Sequence, residues 1–184
     1  MRFYKVLNKQ VFTNGNYSIV PIRMEDSIDI MNWRNEQIYH LRQKKPLTVE
    51  DQEFYFDNVI EKLFNENQPN QILFSYLEKA KCIGYGGLVH INWIDKHSEI
   101  SFVMNTALEK SFFKLHWGSF LQLIEQVAFY ELNFHKIYTY AFDLRPHLYN
   151  VLDENEYQNE ARLKEQFFYN GKYIDVVIHS KFKK

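Results

Sequence analysis

Residues 71–104, QILFSYLEKAKCIGYGGLVHINWIDKHSEISFVM, read as three strands in succession, Gln71–Leu77, Cys82–Asn92 and His97–Met104. Each run is rich in the branched and aromatic residues that fit a pleated surface, and polar breaks separate them at Glu78-Lys79-Ala80-Lys81 and Asp95-Lys96. Downstream, Trp117, Phe120, Leu121, Ile124, Val127 and Ala128 fall at helical spacing and make one apolar stripe, so a main helix is expected to start near Trp117. Lys136–Phe142 follows as a strand and Pro146–Asn155 as a short helix with proline near its first turn. Asn170-Gly171 closes a hairpin between Ala161–Tyr169 and Lys172–His179.

Upstream, Phe3–Phe12 reads as an edge strand, Asn14-Gly15 as a type I′ turn and Tyr17–Arg23 as its partner strand. Asp26 is placed to cap a helix running to about Asn35. Thr48 with Asp51 forms a capping box ahead of the helical run Phe56, Val59, Ile60, Leu63 and Phe64. Residues 67–70, with Pro69, break the chain before the meander, and no linker, repeat or low-complexity stretch interrupts it. The expectation is one domain over residues 1–184, of mixed α/β (α+β) class.

Composition narrows the function. The aromatic share of 17% favours a packed core over a disordered chain. A net charge of −1 supplies no basic field for a phosphate backbone, which argues against nucleic acid as partner. Cys82 stands alone, no leader-like start or membrane-length apolar run is present, and the expected location is cytoplasmic, with no membrane partner. The seven histidines do not pair at helical i, i+4 spacing and Cys82 has no thiol companion, so no metal is expected.

The order of elements and several fragments resemble the GNAT acetyltransferases from Ser18 to Ser180. Ile83-Gly84-Tyr85 and Glu99-Ile100-Ser101-Phe102 are similar to that family's third and fourth core strands, and Ala128-Phe129…His135-Lys136-Ile137 to the end of its main helix. Ala161–Glu165 and Gly171–Val176 resemble the branch that includes ribosomal-protein alanine acetyltransferases. Trp33-Arg34-Asn35 is similar to a second branch, which acetylates nucleotide-linked amino sugars. The resemblance implies a GNAT fold, a mixed and mostly antiparallel central sheet flanked by helices. It implies acetyl-CoA as co-substrate and a small-molecule amine as acceptor, a nucleotide-linked amino sugar being favoured. Protein N-terminal acetylation and a catalytically silent binding protein are the alternatives.

The resemblance also nominates residues. The family's R-x-x-G-x-G loop, which holds the cofactor diphosphate at a helix N-terminus, falls on Phe112, Leu115 and Trp117, and only Gly118 is kept, shifted by one. Either the amides of Leu115, His116, Trp117, Gly118 and Ser119 still bind phosphate, or bulky side chains pack the loop shut. Phe102, Val103 and Met104 are implied along the cofactor arm. Glu99 is the first candidate base and His90 the second. Tyr149, one turn before the family's tyrosine position (here Leu152), is the candidate acid. Trp33, Arg34, Asn35 and Arg42 are nominated for the acceptor. Gly84-Tyr85-Gly86-Gly87 looks like a phosphate loop but lies inside a strand, where close backbone approach explains it better. An open edge at Phe3–Phe12 would favour a homodimer.

Overall fold

In the computed structural model, which describes residues 2–184, the meander forms the middle of one eight-stranded sheet. The strands are β1 (Phe12–Asn14), β2 (Tyr17–Pro21), β3 (Ile72–Glu78), β4 (Lys81–Asn92), β5 (His97–Met104), β6 (Lys136–Phe142), β7 (Gln158–Tyr169) and β8 (Lys172–Phe182). Their order is β1-β2-β3-β4-β5-β6-β8-β7, antiparallel throughout except for the parallel pair β5–β6. That one parallel step follows from the connection: a long helix must carry the chain back before β6 can begin. The arrangement is the expected mixed, mostly antiparallel sheet with helices on it.

The helices are α1 (Ser27–Glu36), α2 (Val49–Tyr55), α3 (Glu61–Leu63), α4 (Thr106–Glu125) and α5 (His147–Glu154). The capping box ahead of α2 is present: the Asp51 amide donates to the Thr48 hydroxyl at 3.1 Å, and the Thr48 amide donates to the Asp51 carboxylate at 3.1 Å. Asp26 precedes α1 but makes no side-chain cap; Arg23 holds its carboxylate at 2.7 Å. Gly86 and Gly87 lie inside β4, where a Cβ would strike the carbonyls of Ser101 and Ile72 on the neighbouring strands. Close strand approach, not phosphate binding, explains those glycines.

Two expectations need correction. Residues 3–11 do not form a strand. The Lys5 amide donates to the Phe64 carbonyl at 2.8 Å, and the buried Tyr4 hydroxyl donates to the Leu73 carbonyl and accepts from the Leu73 amide. With its backbone committed elsewhere, the segment joins the sheet only at Phe12. The second correction is larger. The main helix begins at Thr106, about three turns before Trp117. The Asn105 side chain accepts from the Ala107 amide at 3.0 Å, and residues 106–116, TALEKSFFKLH, contain neither glycine nor proline to stop the helix.

Candidate active site

β5 and β6 pair only at His97–Lys136, Ser98–Ile137 and Glu99–Tyr138, and then part. Beyond Glu99, β5 keeps its ladder with β4 while its other edge faces a gap. A cavity of about 740 Å³ fills this gap, walled by Ile100, Ser101 and Phe102 on one side and Thr139, Tyr140 and Ala141 on the other. α1, α2 and the loop between them close it from above through Arg34, Arg42 and Tyr55. The floor is aromatic: the Phe102 ring stacks on Phe120 at 4.1 Å and meets Trp117 edge-on at 5.1 Å. The buried Thr139 hydroxyl has no hydrogen-bond partner among the described residues.

Glu99 stands where the strands separate and is 5% exposed. Arg42 pairs with its Oε1 and lays its guanidinium over the Tyr140 ring at 4.8 Å. Burial pushes the carboxyl up to about 7, and the attraction of Arg42, half in solvent, only partly offsets it. Oε2 accepts no hydrogen bond among the described residues and has His90 Nε2 at 3.9 Å. His90 sits at an irregularity of β4 with φ of 50°, and burial followed by Arg42 lowers its pKa, keeping it neutral around pH 7. A buried carboxylate poised near neutrality beside an open cavity can accept a proton from an ammonium and release it again.

The structure therefore brings together Glu99, His90, Phe102, Trp117, Arg34 and Arg42 around one cavity. It leaves several nominated residues outside. Trp33 is buried in the core, and Asn35 braces the α1–α2 loop, its amide donating to the Leu47 carbonyl at 2.9 Å and its oxygen accepting from the Leu47 amide at 2.7 Å. Of that triplet only Arg34 reaches the cavity. Val103 and Met104 are buried in the sheet beyond the lining. Tyr149 donates to Asp143 at 2.8 Å, stacks on His179, and has its pKa pushed far up by burial and by Asp143, so it is not presented to the gap. Tyr140, from β6, is a tyrosine on the cavity wall there.

The stretch Leu115 to Ser119 lies in the interior of α4, so its amides are committed to carbonyls one turn back and none is free for an anion. Leu115 is on the exposed side; His116 is buried, with Nδ1 3.3 Å from the Tyr76 hydroxyl. Between α4 and α5, Phe113 contacts His147 edge-on at 4.3 Å and Lys114 pairs with Glu154 at 2.7 Å. What the cavity offers an anion at this end is Arg145, 9% exposed, whose one ion pair is a 3.3 Å contact to Glu109. The sequence shows Arg145 at a position where the resembled family carries asparagine, but not that its side chain turns inward. Among the described residues no cluster of His, Cys, Asp or Glu is arranged to hold a metal ion, and no helix is long and apolar enough to cross a membrane.

Comparison with known proteins agrees with this geometry. Residues 19–178 match the family model described as the acetyltransferase (GNAT) domain. A spermidine N(1)-acetyltransferase of Vibrio cholerae is 26% identical over 131 residues, covering 67% of this chain and 73% of the relative. The crystal structure of the Vibrio cholerae spermidine N-acetyltransferase in complex with CoA and spermine superimposes with a TM-score of 0.78 at 21% identity, over 92% of this chain and 97% of that one. A dodecameric structure of spermidine N-acetyltransferase from the same organism gives 0.73 at 23% identity, over 92% and 95%. At such identities the structural likeness establishes the fold. These relatives are named for spermidine, not for a ribosomal protein or an amino sugar.

Proposed function

This chain belongs to the GNAT acetyltransferase family, acyltransferases that use acetyl-CoA as co-substrate, and from that premise we propose that it acetylates a primary amine of a small acceptor with Glu99 as the base. The observation that carries the assignment is the buried Glu99 at the point where β5 and β6 separate. Arg42 fixes Oε1, and Oε2 takes the proton from the acceptor ammonium. The freed amine nitrogen forms its bond to the acetyl carbon as the carbon–sulfur bond breaks. Neutral His90 beside Oε2 passes the proton on towards solvent.

The residues present fit the acetylated arm of the co-substrate. The unpaired edge of β5 at Ile100–Phe102 offers backbone groups, and the Thr139 hydroxyl has hydrogen-bonding capacity to give. Residues 115–119 of α4 offer the diphosphate no free amide, and Arg145, a buried cation lining the same cavity, is assigned that role. The thioester supplies the activated acetyl group. Tyr140, in place of Tyr149, is assigned the task of giving a proton to the departing thiolate, and it is restored by the second proton that the nitrogen sheds on becoming an amide.

The activity named for the relatives makes spermidine the reference acceptor, and it favours a small amine over a nucleotide-linked amino sugar or a protein N-terminus. The test is release of free CoA thiol on mixing the protein, acetyl-CoA and a panel of primary amines. Turnover that Glu99→Gln abolishes, with the thermal shift by acetyl-CoA retained, supports the reading; no shift at millimolar acetyl-CoA would end it.

A further inference from the structure

The charges on the cavity wall say more about the acceptor, given the acetyl-transfer reading on which this rests. Arg34, Arg42, Lys45 and Arg145 line the cavity against only two carboxylates, Asp51 and Glu99. Both carboxylates are already engaged, Glu99 by Arg42 and Asp51 by Lys45 at 3.9 Å, while Arg145 has Glu109. The cation left over is Arg34, which forms no ion pair among the described residues.

Arg34 is held only by neutral groups. Its Nε donates to Gln43 Oε1 at 3.0 Å and its Nη1 to the Tyr85 hydroxyl at 2.5 Å; Nη2 makes no hydrogen bond among the described residues. Gln43 is fixed in turn by Asn35 Oδ1 at 2.9 Å, and Asn35 by the Leu47 backbone. Tyr85, 4% exposed, is fixed by its strand β4. The guanidinium is thus pre-organised, mostly withdrawn from water, and lacks a counter-charge, the state in which a cation binds a carboxylate or phosphate most productively. A polycation meets the reverse situation: its distal ammoniums would find no free carboxylate on the wall and an unbalanced arginine instead.

We propose that the acceptor amine carries an anionic group, a carboxylate or a phosphate, and that the Arg34 fork binds this group while Glu99 faces the amine. The acceptor class then differs from that of the spermidine relatives while the reaction stays the same.

Matched pairs of acceptors test it: O-phosphoethanolamine against ethanolamine, 4-aminobutyrate against butylamine, and spermidine as the polycation. The expected result is kcat/KM at least about tenfold higher for the anionic member of a pair, since a charge-assisted contact contributes about 1.5–3 kcal/mol. The two pairs separate phosphate from carboxylate. Arg34→Gln should collapse that ratio towards one, chiefly through KM, and Arg34→Lys, which keeps charge but loses the fork, should restore part of it. Ligand-free melting and the acetyl-CoA thermal shift report whether each variant is folded, and Arg34→Lys carries the test if Arg34→Gln is not. Spermidine turned over as well as the anionic amines, or an Arg34→Gln loss equal for all acceptors, overturns the proposal. If no amine is acetylated, the acetyl-transfer reading fails by itself. The anion site is then judged by the thermal shift with O-phosphoethanolamine, which must be present in the wild type and absent in Arg34→Gln.

Discussion

The two ends of the proposed co-substrate site differ in this chain. At the acetyl end the strands still part at Glu99, the cavity is open, and a carboxylate stands at its apex. At the end assigned to the diphosphate, Asn105 caps α4 and the residues aligned with the family's glycines lie in mid-helix. The gap between β5 and β6 is made by the course of the backbone, which pairs the two strands at three positions and then parts them. A backbone anion site depends on where a helix begins. It disappears when the start moves by a few turns, since each amide is then used within the helix. In this chain the backbone gap is present while the amides at the family's glycine positions are used within α4.

The largest effect should come from the preserved end. Glu99→Gln is isosteric and keeps a partner for Arg42, so folding and acetyl-CoA binding should survive while kcat falls about 10²–10⁴-fold, the usual contribution of a general base. An unchanged kcat removes Glu99 from the reaction. The pH dependence is the next largest effect. With the carboxyl raised to about 7, kcat/KM should fall about tenfold per pH unit below 7 and level off above it, because only the carboxylate accepts a proton. Arg42→Gln removes an attraction that lowers the Glu99 pKa, so the inflection should move to higher pH. The stability sign follows from the same shift. The folded state holds this proton more tightly than an exposed carboxyl at 4.5, so the group's contribution to stability is full at low pH and is lost as pH rises through about 7.

The sheet was readable because alternation and turn residues report strands directly: Lys136–Phe142 was read to the residue, and Asn170-Gly171 does join β7 to β8. Glu99 was readable from its place in the fourth core strand. Two kinds of feature were not. A stripe of apolar residues shows which part of a helix is buried, not where the helix starts, so it does not mark the exposed and mixed turns at 106–116; the signals of the true start are Asn105 as a cap and a following stretch without glycine or proline. The partners of long side chains were also hidden. Nothing in the spacing of Trp33-Arg34-Asn35 says that the indole turns into the core, the amide into a loop brace and only the guanidinium into the cavity.

The altered end predicts smaller, more selective effects. Arg145→Gln should weaken acetyl-CoA about tenfold, or about 1.4 kcal/mol, while leaving S-acetylpantetheine, which lacks the diphosphate, unaffected. Calorimetric titration of the two ligands separates anion binding from packing. Arg145 also meets Glu109 and lies 5.8 Å from the Phe113 ring, so an equal loss for both ligands would make it a structural residue.

The smallest effect is the one that asks whether α4 is a helix by necessity or a latent loop. Leu115 is half exposed and occupies the position of a family glycine. If the Asn105 cap and the helix formers before it fix this segment, Leu115→Gly is simply a poor residue in a helix interior. It should cost about 1 kcal/mol, seen as a drop of about 2–4 °C in Tm for a chain of this size. The affinity for acetyl-CoA should not rise, because a flexible residue at one point frees no amide while the turns on either side stay closed. A gain in acetyl-CoA affinity together with the loss of stability would mean that the helix unwinds to meet the diphosphate. In that case the two ends of the site differ in resting conformation only, and the anion cradle is an induced structure that leucine suppresses.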